Sequence, residues 1–416
     1  MPDPTTTAPG AAAQINLKAE TATRETLAAA VSKLALQPAV QLPAAFKITE
    51  VPIAAGLHLT PIGALVPSLG PLVAFNGTFT GNGFNTIFRP DSPVTPTPLP
   101  TPVTGSDNVL ELNLTAETLS FSAALGSVPN RGMVQADAFL NGVPYLQAIN
   151  DVTNPAQPTG IHLEPGLWIC VPPTTDPREG QEVARMASIP HGTTICAQGT
   201  SSTISGPPTI PPVDITPFQG ATKFPFPSQT ATNHGTARIP QDLTPFIAAG
   251  TITQAMLTDP NTVLRNHIAG QHITSTTIIN ISTAPASPLF GGGTDNIAFL
   301  MGDATASRPN AQTTRMTATF WIETVQHTIL VPIFTPGQPP LLLAPEGPAA
   351  PGAPQPKFIV HPPGPIPTPR PITVTSTQIQ YSQTVFLNFN GLTWPHVSVA
   401  TLTPSGGVTV PPGAWA

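Results

Sequence analysis

Nine histidines and twenty-one carboxylates are the groups best able to do chemistry in this 416-residue chain, and few of them stand close together. His162 and Glu164 are two apart in Ile161-His162-Leu163-Glu164-Pro165-Gly166-Leu167-Trp168. If that segment is a strand they share a face, because strand side chains alternate. There they read either as an acid/base pair or as a polar pair that satisfies itself. His191 precedes Gly192 in Ser188-Ile189-Pro190-His191-Gly192 and reads first as a hairpin residue. His396, in Trp394-Pro395-His396-Val397-Ser398, carries an imidazole that can ligate a metal or serve as a hydrogen-bonded structural group. If His396 faces inward, Ser398 and Ala400 share its face, and these small side chains leave room for something bulky. Val397 and Val399 then point outward and need cover from an N-terminal strap or an insertion.

The remaining constellations are weaker. His267 and His272, with Gly270 between them, have a poor metal-ligand spacing and read as surface or loop. Cys170 and Cys196 are too few for a disulfide scaffold and have no close-spaced partners for zinc. They are expected as buried thiols on neighbouring strands of one hairpin-like pair. Gly291-Gly292-Gly293 lacks the Lys-Ser/Thr of a phosphate-binding loop, and no G-x-S-x-G elbow occurs. Glu111 with Glu117, or Glu164 with Glu323, could meet across strands, but nothing else supports a glycosidase.

These residues fall on segments that read as strands. Val73–Phe88, Val109–Ser122, Ile161–Val171 and Thr193–Gln198 are rich in Thr, Val, Ile and Phe and are bounded by Gly, Pro, Asn and Asp. The same texture returns at Ile273–Ser282, Asn296–Met301, Arg315–Leu330, Ile372–Asn390 and Leu392–Leu402. Prolines crowd Gly199–Asp242 and Pro332–Pro371, which excludes central strands there and marks insertions. Leu243–Ile268 suggests two short helices, with Asp259 before Pro260 as cap and first helical residue. Residues 17–36 carry an approximately helical apolar spacing, and 37–71 reads as an extended strap. The implied division is an N-terminal helix and strap over 1–71, a barrel over 72–402 with insertions at 199–272 and 332–371, and a Pro/Gly tail over 403–416.

Four motifs in this order resemble those of the nitrobindin-like heme-binding β-barrels. They are Gly77-Thr78-Phe79-Thr80-Gly81-Asn82-Gly83, with Phe79 where Trp is usual, the His162–Trp168 segment, the His191 hairpin and the Pro395-His396-Val397-Ser398 segment. The resemblance covers mainly 75–199 and 315–402. It implies a mainly β chain forming a single antiparallel barrel of about ten strands. It also implies one ferric heme b held by His396 as the only protein ligand to iron, with His162, Gly81 and Gly83 among the cofactor-binding residues. Small diatomic or oxyanion ligands, namely nitric oxide and peroxynitrite, belong to that family's chemistry, so an enzyme of this kind would be isomerase-like or peroxidase-like. The alternatives left open by the residues are a metal-free barrel for an apolar small molecule and a structural or assembly protein.

Composition bounds the rest. Only 9% of residues are charged, the net charge is −6, and no Lys/Arg block exists to neutralise phosphates, so nucleic acid is not an expected partner. With 40% hydrophobic residues, the chain has enough apolar surface to fold, while 56 prolines and 33 glycines put much of its length in loops. No stretch gives eighteen uninterrupted apolar residues and residues 1–14 lack a secretory pattern, so no membrane partner and a cytoplasmic location are expected; a homo-oligomer stays open.

Overall fold

The computed structural model describes residues 66–285, 291–301, 310–347 and 349–415, all within one compact unit, Gly56–Ala416. Ten long strands carry the fold: β1 (Gly77–Pro90), β2 (Asn108–Phe121), β3 (Ala138–Asp151), β4 (Thr159–Val171), β5 (Glu182–Ile189), β6 (Thr193–Ser205), β7 (His272–Ser282), β8 (Gln312–Val331), β9 (Arg370–Phe389) and β10 (Leu392–Pro404). Each pairs antiparallel with the next along the chain, and β10 returns to pair with β1, Phe79 opposite Pro404 and Thr86 opposite Val397. The result is the closed up-and-down barrel that the spacing of apolar runs and turn residues suggests, and closure leaves no long edge unpaired.

Alternation sorts each strand into an inner and an outer set. At one end the interior is filled by Phe75, Phe79, Phe121, Trp168 and Phe320, with the short turn of 3-10 helix Gly70–Leu72 closing that end. Phe75 stacks on Phe121 with ring centroids 4.6 Å apart, and Trp168 meets Phe320 edge to face at 5.1 Å. Each such ring, fully buried, contributes about 1.5–3 kcal/mol over the exposed state.

The outer wall of β1, β2 and β10 is also apolar, and the segment between β6 and β7 covers it. Phe84, Leu112, Val397 and Val399 point outward and pack under Ile215, Leu243, Leu257 and Leu264 of that segment. An insertion thus supplies the cover that the outward valines require. It begins only at Gly206, because β6 runs on to Ser205. Three short helices lie in it, α1 (Thr244–Ala249), α2 (Gln254–Thr258) and α3 (Thr262–His267). Asp259 closes α2 and Asn261 caps α3, so Asp259 and Pro260 do not open a helix. Arg238–Ile239 adds a short parallel ladder to Leu110 and Glu111 of β2, and Phe218 pairs with Thr393 of β10.

The second Pro-rich stretch lies outside the barrel too and joins the chain's last residues in a small sheet. Leu341–Leu343 pairs with Phe358–Val360, which runs parallel to Val408–Thr409. Residues 403–416 are therefore not a bare tail where they are described: Val410 and Phe358 share an apolar cluster with Ile329 and Ile372.

Several expectations are corrected. β3 and β5 are absent from the strand texture read off the sequence, since Pro144, Gly142 and Asn141 disguise the first and Arg185 interrupts the second. Asn296–Met301 is not a strand; Gly293–Asn296 pairs with β6 and Ala298–Met301 is helical. Cys170 and Cys196 sit on β4 and β6 with β5 between them, Cys170 buried and Cys196 exposed, because odd and even positions face opposite ways on these strands. His267 is buried, its Nδ1 2.9 Å from Thr401 Oγ1 beneath the insertion. The helix expected over 17–36 lies outside the described residues.

Candidate functional site

The barrel end away from the aromatic core is open inside. A cavity of about 460 Å³ lies there, with His396, Asn85 and Ser398 on the β10/β1 side and His162 and His191 from β4 and the turn after β5 also lining it. The volume falls in the range of small-molecule and cofactor sites. Between these groups the lining is mixed, with aliphatic Ile149, Ile161, Ile189, Val385 and Leu387 beside polar Gln147, Thr313, Tyr381 and Gln383.

His396 is positioned by register. Thr86 pairs with Val397 and Asn85 with Ser398, so Asn85 and the imidazole meet on the inner face. Asn85 Nδ2 donates to His396 Nε2 at 2.8 Å and to Ser398 Oγ at 2.7 Å, while Asn113 Nδ2 donates to Asn85 Oδ1 at 3.3 Å. An amide donor fixes Nε2 as the ring's acceptor nitrogen. Burial, with smaller contributions from His162 and His191, pushes the His396 imidazole down to about 3. The ring is therefore neutral at pH 7, the form that binds metals. His191 is also held below its ordinary value, by burial and by His162.

His162 and His191 sit side by side with ring centroids 5.6 Å apart. His162 Nε2 lies 3.1 Å from Oε2 of Glu164, whose carboxyl is fully buried. Beneath this pair a polar layer crosses the barrel. Arg185 bridges to Glu164, and Tyr145 donates its hydroxyl proton to the same carboxylate oxygen. Arg185 Nε donates to Tyr145 Oη at 2.7 Å and Nη1 to Gln383 Oε1 at 2.7 Å. The guanidinium stacks over the Tyr145, Trp168 and Phe320 rings within 5.6 Å of each centroid, so it joins the polar layer to the aromatic end. Burial alone would raise the Glu164 carboxyl, but the Arg185 charge and the hydrogen bonds from His162 and Tyr145 outweigh it and hold the group at about 2. The pair is therefore a hydrogen-bonded polar pair whose carboxylate is also satisfied by Arg185 and Tyr145, while the imidazole it orients lines the cavity.

A second buried carboxyl completes the floor. Glu117 accepts from Tyr381 Oη at 2.6 Å, Thr115 Oγ1 at 2.9 Å and Gln147 Nε2 at 3.3 Å, and its carboxyl is raised by burial against those hydrogen bonds. Glu117 and Glu111 do not form a pair, since Glu111 is held by Arg89 at 3.0 Å near the cavity rim.

The structure brings His396 and His162 to one cavity. Gly81 and Gly83 are elsewhere: a Cβ at either would lie about 2 Å from a backbone carbonyl oxygen of β10, Thr401 or Val399, so these glycines let β1 and β10 approach closely. Sequence reasoning missed Asn85, Tyr145, Arg185 and Gln383. Arg185 had a signal: a lone cation alternating with Val183 and Ala187 in a chain with so few charges implies a buried partner.

No protein-family model matches this chain, and no curated protein does. Among solved structures, the crystal structure of Rv2717c from M. tuberculosis is 12% identical, with a TM-score of 0.31 over 82% of this chain and 100% of that one. Among the described residues no helix is long and apolar enough to cross a membrane, and no group of three or more His, Cys, Asp or Glu side chains is arranged to hold a metal ion.

Proposed function

We propose that the cavity binds one ferric heme b per chain, with His396 as the protein ligand to iron. The observation that carries this reading is the neutral imidazole of His396, half-buried in the barrel wall and open to a cavity of about 460 Å³. The donor set fits a single-histidine site, since heme iron needs one strong axial nitrogen from the protein and supplies the rest of its equatorial ligation from the macrocycle. The aliphatic side chains of the lining suit a planar apolar ring, and Arg89 at the rim is a cation that a carboxylate substituent would have to share with Glu111. When bound, the iron would supply the chemistry toward a small diatomic or oxyanion ligand.

The chain's own residues have separate tasks. Asn85 holds the His396 ring by its Nε2, and a metal taking that nitrogen would replace the Asn85 donor, leaving the amide to Ser398. His162, oriented by Glu164, offers a polar group to a ligand in the cavity, with a carboxylate behind it that stays ionised. A second reading, a metal-free cavity for an apolar small molecule with one hydrogen-bonding group, is favoured by the fact that Nε2 already has a partner in Asn85. Adding hemin to the purified protein separates the two. The heme reading expects a Soret band that saturates at one equivalent, and His396→Ala should abolish or sharply weaken uptake while the β circular dichroism persists. No Soret band after hemin addition, or an unchanged band in His396→Ala, would sink it.

A further inference from the structure

On the outer face of the barrel, under the insertion, lies a carboxyl that the cavity does not use. Glu323 of β8 is fully buried, and only one of its oxygens has a protein partner among the described residues: Gln378 Nε2 donates to Oε2 at 2.6 Å. Its Oε1 has none, and neither has Oε1 of Gln380, also fully buried. Glu323 pairs with Gln378 in the β8/β9 register and Trp321 pairs with Gln380, which makes Glu323 and Gln380 diagonal neighbours on one face. Side chains of this length reach each other across such a diagonal. Two orphan acceptors on one buried diagonal are each costly, and one proton between them satisfies both.

The same seam fastens the insertion to the barrel. Gln380 Nε2 donates to Leu264 O at 3.0 Å, Gln271 and Gln378 exchange amide hydrogen bonds at 3.0 and 3.1 Å, and Thr276, opposite Glu323, donates to Gly206 O at 2.8 Å. We propose that Glu323 is a neutral carboxylic acid that donates its proton to Gln380 Oε1, and that its ionisation loosens the insertion from the barrel wall. The seam is then an acid-tightened latch, set into the outer face of the wall whose β10 carries His396 inside.

The surrounding charges agree with this. On the elements packed here the titratable groups are Arg315 and His327 of β8, Arg370 and Tyr381 of β9, His267 and Arg265 of α3, and His272, exposed at the start of β7. Arg315 lies over the Phe386 ring, Arg370 over the Trp415 ring, and Tyr381 is bonded to Glu117 inside the barrel. His267 and His327 are pushed down by burial to about 4, and Arg265 is taken by Asp259, so neither these two histidines nor Arg265 stands ready as a counter-ion to an ionised Glu323. Burial, against the single Gln378 hydrogen bond, lifts the Glu323 carboxyl to about 8. In an opened seam it returns to its ordinary value of 4.5. Between those two values the closed state alone holds the proton. Closure is therefore strongest below the lower one and weakens by up to about tenfold per pH unit until the upper one, beyond which it is level.

Glu323→Gln tests the latch, because its amide donates to Gln380 Oε1 at every pH. Hydrogen exchange of the backbone of residues 243–271 should give an opening constant that rises with pH in the wild-type protein relative to Glu323→Gln, by up to about tenfold per unit between the two titration points. Infrared difference spectra of the two proteins at pH 6 should show a protonated carboxyl that the variant lacks. Gln380→Met, which removes the acceptor together with the Nε2 bond to Leu264 O, should loosen the seam at pH 6 in hydrogen exchange by more than Glu323→Gln does. A carboxylate band at pH 6, as expected if a water bridged an ionised Glu323 to Gln380, would overturn the proposal. So would parallel exchange profiles for wild type and Glu323→Gln across that range.

Discussion

Two buried guanidiniums organise two regions of this molecule, and they do so by opposite chemistry. Arg185, inside the barrel, is neutralised by Glu164 and shares Tyr145 with it. Arg238, in the insertion and equally buried, meets no carboxylate; its five N–H groups serve six backbone carbonyls, of Ser228, Thr230, Ala231, Asn233, Pro240 and Gln241, at 2.8–3.3 Å. A strand ladder leaves no free carbonyls to gather, so a cation in the barrel requires an anion. A Pro-rich segment has too few N–H groups to satisfy its own carbonyls, and one arginine can supply five. The barrel arginine thus serves the site, and the insertion arginine replaces secondary structure.

The sharpest way to break this comparison is to remove each cation in turn. Arg185→Met leaves the buried Glu164 without its guanidinium partner and is expected to cost about 3–5 kcal/mol in urea unfolding. Arg185→Met combined with Glu164→Gln should recover most of that loss. If the double variant is no more stable than the single, the ion pair is not what the barrel depends on. Arg238→Met should cost less, about 2–4 kcal/mol, because the freed carbonyls can reach water once the loop opens. Its signature is local: limited proteolysis within residues 226–242 with the barrel intact. Equal global losses in the two variants would erase the distinction.

Acid provides a gentler test. Glu164 is held at about 2 against an ordinary 4.5, so its contribution is complete above the higher value and is lost as pH falls toward the lower one. The Arg238 cage has no directly paired carboxylate; the exposed Asp242 acts on it only through space. Trp168, against Arg185, should therefore change its fluorescence between pH 4.5 and 2 before Trp394, which stacks on Phe389 at 4.4 Å on the insertion side. Coincident transitions in single-tryptophan variants would show that the two regions share one acid response.

The same contrast explains what the sequence discloses. Strands such as Val109–Ser122 and Ile372–Asn390 are legible because β-branched residues alternate between clear turn signals, and the inward set of β10 follows from parity once His396 is placed inside. β3 is illegible because Pro144 breaks the rule that central strands avoid proline, and β5 because the one residue that explains it, Arg185, looks like a solvent group until Glu164 is seen beside it. His162 and His396 could be nominated singly. Their meeting in one cavity depends on closure between β1 and β10, a contact that no local pattern encodes. The Arg238 cage and the Glu323 seam escape for a similar reason, since both consist of long-range bonds to backbone or amide groups whose residue types carry no signature.

That closure also orders events in time. Every neighbouring pair of barrel strands can form as soon as the second emerges from the ribosome, except the pair joining Phe79 to Pro404, which waits for the tenth strand. Until then β1 presents a bare edge, and the outer valines and the inner histidine of the closing strand do not yet exist as surfaces. The insertion, synthesised earlier, has only part of its seat available, so its docking on Val397 and Val399 belongs to the final step of folding. A nascent chain of this design is exposed to edge-to-edge association until the tenth strand emerges, and a chaperone that shields β1 up to that point would raise its yield.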